Sequence, residues 1–442
     1  MKISLVFVIG IFLVVGGYVL ERDEDQMEDR RLTEAIREMT EELDELKASG
    51  SNSEMDEGGY DGDMMLDDDQ WEMVRASVED GSQVDKRKAI ADLTKRWPNA
   101  EIPYYVNPDV ESYYGTDIAS VIANYEAQTC LDFIKHTTAP SGGYVNVKSG
   151  SGCASKVGYK NTNRNLFLNL GSCKPRISHE FGHAIGLKHE HERPDRDTYI
   201  QVRTENIKSG FENAFNKLTS TTINTYNVPY DYKSVMHYES DTFSSNGEPT
   251  IVSTNPMDMI DLGANTLPNF SDIKIINLMY DCSSGCSVVT CNNGGYQDNT
   301  CACVCPPGWT GSSCSTSVTL PDECKNYLTG ASGSASSENY PSNYPQDHTC
   351  QWHIKGTAAG QTITVSFQDF VLEDPYGGVC DDDYLQIRTT DLFFGGDKYC
   401  GTSGPSTQVV TSSSSPPEML IFFQSDTNTV VKKGFQFTYT IS

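Results

Sequence analysis

The sequence predicts an α+β domain, then a small disulfide-rich module, then an all-β sandwich. Three observations predict that order. From Trp97 the composition is that of a globular domain, with strand-like runs at 102–106 and 166–170 around a helix-like stretch at 118–133. Between Cys286 and Cys314 six cysteines fall within fewer than thirty residues, a unit too small to hold a core without disulfides. From Cys324 to Ser442, apolar runs such as 363–367 and 419–423 alternate with Ser, Gly and Pro turns, as in a β-sandwich.

With 442 residues the chain exceeds one ordinary domain of roughly 100–200 residues. The expected boundaries are 1–17, 18–87, 88–282, 283–315 and 324–442. Residues 3–15 are almost wholly apolar, follow Lys2 and reach Gly16 and Gly17, the layout of a secretory signal peptide. Tyr18, Val19 and Leu20 prolong that run, so an uncleaved membrane anchor is the alternative. Fourteen cysteines, none before Cys130, point to an oxidising, extracellular setting. The net charge of −28 is concentrated: residues 21–87 hold 24 acidic and 8 basic side chains, a balance of −16. That excess argues against nucleic acid as a partner, since phosphate attraction needs a basic surface.

Within the acidic segment Leu32, Ile36, Met39, Leu43 and Leu46 recur at steps of four and three, one side of a helix. Residues 49–69 are rich in Gly, Ser and Asp and are expected to be extended or irregular. Lys86-Arg87-Lys88 then forms a basic cluster that invites an activating protease, although a charged linker reads the same way.

The chemistry is concentrated in His179-Glu180-Phe181-Gly182-His183-Ala184-Ile185-Gly186-Leu187-Lys188-His189. At 3.6 residues per turn, His179 and His183 share one helical face and can reach one zinc ion. Glu180 flanks that face, placed to take a proton from water without ligating the metal. Gly186 permits the helix to end and the chain to turn back with His189 as a third nitrogen ligand. Zinc in such a site polarises a peptide carbonyl and lowers the pKa of bound water from about 15.7 towards 7.

Glu190 directly after the third histidine, with Arg193-Pro194-Asp195-Arg196-Asp197 beyond it, makes the run resemble the astacin family of metzincin peptidases. Ser234-Val235-Met236-His237-Tyr238 is similar to that family's Met-turn. The resemblance implies Met236 beneath the metal and Tyr238 as a displaceable ligand whose hydroxyl serves the tetrahedral oxyanion. It also implies a two-lobed fold over residues 88–282, with a sheet over helices, an active-site helix at its floor, and a mostly irregular second lobe closing the cleft.

Gly294-Gly295, Cys303-Val304-Cys305 and Gly308-Trp309-Thr310-Gly311 make residues 283–315 resemble an EGF-like module. Asn339-Tyr340-Pro341-Ser342-Asn343-Tyr344-Pro345, Cys350-Gln351-Trp352 and Tyr399-Cys400-Gly401 make residues 324–442 resemble a CUB domain. These resemblances imply the pairs Cys130–Cys282, Cys153–Cys173, Cys286–Cys301, Cys291–Cys303, Cys305–Cys314, Cys324–Cys350 and Cys380–Cys400. They imply a calcium site at Tyr344, Glu373, Asp383 and Asp426, against the alternative of solvated acids beside Asp374, Asp381 and Asp382.

Tyr60-Asp61-Gly62-Asp63 resembles the family's pro-segment motif Phe-x-Gly-Asp, with Tyr in place of Phe. The implied role of Asp63 is to ligate zinc in a latent precursor, since a carboxylate can take the place of water on the metal. Cleavage at the basic cluster would release activity, and the new N-terminus would fold inward towards Glu190. Asn269-Phe270-Ser271 is the one clear N-glycosylation sequon.

The expectation is a secreted zinc endopeptidase acting on extracellular proteins, with protein contacts through its EGF-like and CUB modules. Two rivals are a secreted adhesion protein with an inert peptidase domain and another metzincin branch. The complete set of histidines argues against the first, Glu190 and the terminal modules against the second.

Overall fold

The computed structural model describes residues 59–61, 63–67, 89–219, 222–319 and 324–442. The apolar N-terminal run, the helical pattern from Leu32 to Leu46 and the basic cluster at 86–88 lie outside the described residues.

The first lobe is a seven-stranded sheet on two helices. Its strands are β1 (Gly59–Asp61), β2 (Met64–Leu66), β4 (Glu101–Val106), β5 (Asp132–Lys135), β6 (Tyr144–Ser149), β7 (Ala154–Lys156) and β8 (Asn163–Leu168). They lie in the order β1-β2-β7-β8-β6-β4-β5. The short strand β3 (Ala89–Ile90) pairs separately with Ile223–Asn224. In β4, Ile102, Tyr104 and Val106 point inward while their neighbours face outward, the period of two that a half-buried strand requires. Strand β7 runs antiparallel to β8, and β2 adds to it in parallel, with Met64 opposite Ser155 and Met65 opposite Lys156.

Helix α1 (Pro108–Gln128) begins ten residues before the sequence reading put it and ends before Phe133, which lies in β5. The start signal is local: Pro108 in the first turn has no N–H to leave unsatisfied, and Asp109 and Glu111 complement the helix dipole. Its buried face is Val110, Tyr114, Ile118, Val121, Ile122 and Tyr125. At its end the Thr129 hydroxyl donates back to the Tyr125 carbonyl. The predicted strand at 166–170 is shifted too, because Asn169 and Leu170 turn away after Leu168.

Helix α2 (Ile177–Ile185) is buried along its whole length, with Phe181 edge-on to Phe133 and Trp97 Nε1 donating to the Ala184 carbonyl. The second lobe has little regular structure. Its core is a separate cluster that includes Ile200, Ile207, Phe215, Tyr230, Tyr238 and Ile251. Helix α3 (Phe270–Met279) packs Ile273, Ile275, Ile276 and Met279 into the core of the first lobe, with Asn269 and Asp272 forming a reciprocal capping box.

Residues 286–317 hold three disulfides and two two-stranded ribbons, and Tyr296 from the first ribbon packs on Phe270. The last domain is a sandwich of a five-stranded and a four-stranded sheet around Trp352, Ile354, Val365, Phe423, Phe435 and Phe437. It docks on the second lobe. Lys325 Nζ lies 2.6 Å from Asp261 and 3.3 Å from Asp258, Gln351 donates to the Met257 carbonyl, and Arg203 pairs with Asp391 at 2.7 Å. All fourteen cysteines are bridged, in the pairs 130–282, 153–173, 286–301, 291–303, 305–314, 324–350 and 380–400.

The asparagine of the sequon, Asn269, lies at the start of α3. Its side-chain oxygen accepts from the N–H groups of Ser271 and Asp272, and its Nδ2 donates to Asp231. The amide nitrogen to which a glycan would be joined is engaged in the folded protein, and Asn269 serves as the cap of α3.

Candidate metal centre

Helix α2 places His179 and His183 one turn apart, and Gly186 ends it. Gly186 has φ +122°, and its N–H reaches the carbonyls of Gly182 and His183 while Leu187 N–H returns to Gly182. A Cβ there would be strained and would lie 2.9 Å from Ile90 Cδ1. The turn brings His189 back beside the other two, with ring centroids 5.4 Å from His179 and 4.8 Å from His183.

Each imidazole is fixed through its Nδ1, which meets the Val235 carbonyl at 2.7 Å for His179, the Leu187 carbonyl at 2.9 Å for His183 and Glu192 Oε2 at 3.0 Å for His189. These partners only accept, so each Nδ1 carries the proton and each Nε2 turns a lone pair inward. The three Nε2 atoms lie 2.6 Å (His189), 3.3 Å (His179) and 3.6 Å (His183) from the carboxylate of Asp63. Nε2 of His179 and of His183 are buried with no hydrogen-bond partner among the described residues.

Four acceptors gathered in a buried space need a cation among them. A proton can play that part. Burial would lower the His189 pKa, but the charges of Asp63 and Glu192 outweigh it and raise it to about 10. Burial pushes His183 down to about 3. For Asp63, burial pushes the carboxyl up, and the charges of His189 and His179 overcome this and hold it well below the usual carboxylate range. Three neutral imidazole nitrogens and one carboxylate oxygen match the donor set and number that zinc prefers. Lone pairs already aimed and orphaned inside the fold make the fit specific.

Glu180 is fully buried beside this cluster, and neither of its carboxylate oxygens has a hydrogen-bond partner among the described residues. Burial, and then the charge of Asp63, push its pKa well above the ordinary value. Met236 lies against the helix from below: a Cβ on Gly182 would sit 2.6 Å from Met236 Sδ, so only glycine at 182 lets this methionine approach. Tyr238 is 2% exposed, its ring centred 4.5 Å from that of His189 and stacked at 3.9 Å on His191. Glu190 Oε1 accepts from Arg193 Nη1 at 2.9 Å and from Asp231 N–H at 2.8 Å, tying the metal-binding turn to the second lobe.

The sequence reading missed the layer behind the ligands. Val235 holds His179 through its carbonyl, Met236 accepts from Glu190 N–H, and Asp272 accepts from both Ser234 Oγ and Val235 N–H. A signal for Asp272 existed, because it stands three residues after the helix-capping Asn269. Glu192, which orients His189, has no comparable signal.

Asp63 reaches the centre as part of a strand addition. Its carbonyl accepts from Ser155 N–H on β7, and Met64 and Leu66, both fully buried, join the core of the first lobe. With Cys153, Arg176, Tyr238, Glu239, Asp241, Thr242 and Phe243 it lines a cleft of about 400 Å³. In the last domain, one carboxylate oxygen each of Glu373, Asp383 and Asp426 lie within 4.8 Å of one another. Asp383 is 2% exposed and accepts from Tyr344 Oη at 2.6 Å and from Asp426 N–H at 2.9 Å. Burial and the neighbouring acids raise the pKa of both Glu373 and Asp383.

The family model for Astacin, a peptidase family, matches residues 89–281, and that for the CUB domain matches 324–439. Protein SpAN of Strongylocentrotus purpuratus is 36% identical over 408 residues, covering 89% of this chain and 65% of that protein. The chain thus spans just under two thirds of that relative. Zinc metalloproteinase dpy-31 of Haemonchus contortus is 30% identical over 418 residues, 91% of this chain and 75% of the relative. An astacin-like metalloendopeptidase of Coturnix japonica is 31% identical over 360 residues, covering 78% and 74%. Among solved structures, the hatching enzyme zinc-protease HCE-1 of Oryzias latipes shares 33% identity, over 42% of this chain and 93% of that one, with a TM-score of 0.39. With the paired His179 and His183, the returning His189 and the two family matches together, the chain belongs to the astacin family of peptidases and carries a CUB domain after its peptidase domain.

Proposed function

We propose that this chain is a secreted zinc endopeptidase, made as a latent precursor, that hydrolyses peptide bonds in extracellular proteins. The observation that carries the reading is the convergence of three imidazole nitrogens, two of them without a hydrogen-bond partner among the described residues, with a carboxylate beside the buried Glu180. His179, His183 and His189 would hold the zinc, which supplies Lewis-acid polarisation of the peptide carbonyl and of water. Glu180, whose pKa burial raises above the ordinary carboxylate value, is the group placed to take a proton from water and give it back. Tyr238 donates its hydroxyl to the developing oxyanion. Substrate lies extended along β7, the edge that β2 now covers.

Asp63 is read as the group that keeps the precursor inactive, with cleavage by another protease at 86–88 removing it together with β1 and β2. The disulfides support an oxidising, extracellular setting. Residues 283–315 are read as an EGF-like module that, with the CUB domain, offers surfaces for protein contacts. The zinc requirement is tested on purified, processed protein. Chelation should abolish cleavage of an unfolded protein substrate, and one equivalent of zinc should restore it. Undiminished cleavage by metal-free protein would remove the reading.

A calcium site in the CUB domain is a separate part of the proposal. Glu373, Asp383 and Asp426 offer hard oxygen ligands converging on one point, with Tyr344 orienting Asp383. Calorimetric titration of the full-length protein with calcium should show one saturable site, lost in Asp383→Ala. The same binding heat in that variant would assign the cluster to surface acids.

A further inference from the structure

Asp67, four residues after Asp63, enters a pocket of three cations at the end of β7. Arg164 Nη1 lies 2.7 Å from its carboxylate, Lys156 Nζ 3.5 Å and Lys160 Nζ 3.8 Å. The pocket is built into the peptidase domain. Arg164 is 1% exposed, and its guanidinium is held by the carbonyls of Gly158 (Nε, 2.8 Å) and Val157 (Nη2, 2.9 Å). Lys156 is buried, while Lys160 stands half out in solvent. Burial alone would raise the Asp67 pKa, but Arg164 and the two lysines overcome it and lower it.

Processing before the peptidase domain would remove Asp67 with the rest of the pro-segment. The three cations would then lose its carboxylate, and β7 would become the edge of the sheet. A peptide that adds to that edge follows the track β2 now occupies, and its side chains fall where those of 63–67 fall. We propose that Lys156, Lys160 and Arg164 form a substrate subsite for an acidic side chain, three to five residues from the scissile bond. The proposal rests on the peptidase reading above. Its geometry follows from chain length: four residues of extended backbone place the pocket about 13 Å from the metal centre. Asp67 is the pro-segment's imitation of a substrate acid, as Asp63 is its ligand to the metal.

The test uses processed enzyme and a set of quenched peptides in which one Glu is moved through each position within five residues of the scissile bond, on both sides, against Gln at the same place. The wild type should cleave the peptide with Glu at one position three to five residues away about tenfold faster in kcat/KM than its Gln partner. In Lys156→Gln/Lys160→Glu that ratio, taken within the variant so that any general loss of cleavage cancels, should fall to about one. Arg164 stays in place because it also holds the backbone. If the wild type cleaves the peptides but shows no preference for Glu three to five residues away, the cations only clasp the pro-segment and the proposal fails alone. A preference that persists in the double variant likewise overturns it. If no peptide is cut by processed, zinc-loaded enzyme, the peptidase reading itself fails.

Discussion

Glu180→Gln in the processed enzyme is expected to slow peptide hydrolysis by about 10²–10⁴-fold, the usual contribution of a general base or acid. The substitution keeps the side-chain volume in a fully buried position and breaks no hydrogen bond, because neither carboxylate oxygen has a partner among the described residues. It also removes a charge that burial penalises. The variant should therefore fold, keep one zinc per chain, and melt no lower than the wild type. The Nδ1 contacts of the three histidines run to Val235, Leu187 and Glu192 and do not involve Glu180. A loss of activity accompanied by loss of zinc would make Glu180 a support of the site instead of its proton carrier. Activity equal to wild type would refute its part in the chemistry.

The zinc-binding run was legible in the sequence because its geometry is local. The spacing of His179 and His183 is a property of one helical turn, and the return of His189 needs only Gly186. Features that depend on distant partners were less legible. Asp63 meets His189 across a separation of 126 residues, and only its resemblance to a short pro-segment motif marked it. Asp67 read as one more acid in an acidic tract, since the cations that receive it lie at 156, 160 and 164. The anchors behind the ligands are largely backbone carbonyls, at Val235 and Leu187, and a carbonyl leaves no trace in residue identity.

Some local signals compete with one another in the sequence. The apolar residues from Ile118 onward draw the eye to the middle of α1, although Pro108, Asp109 and Glu111 announce its start ten residues earlier. The polar first turns hid a buried face that already includes Val110 and Tyr114. The cysteines were the opposite case. The pairs implied by resemblance are those bridged in the structure, because disulfides bind each module mainly to itself and so follow module boundaries.

The central claim is that one buried centre, held by three histidines, carries the activity and is stopped by Asp63. Its most direct measurement is the activity of a zinc-loaded precursor whose basic cluster has been replaced so that it cannot be processed, with and without Asp63→Ala, on a short peptide. Asp63→Ala removes the carboxylate from the metal centre and with it one of the contacts that hold β2 on β7, so a short peptide can compete for that edge. The uncleaved parent should be inactive against the processed enzyme. Asp63→Ala should raise the precursor's activity at least about tenfold, the scale of one charge-assisted ligand contact, while staying below the processed enzyme. A parent precursor already as active as processed enzyme, or a silent precursor that Asp63→Ala leaves unchanged, would contradict the account.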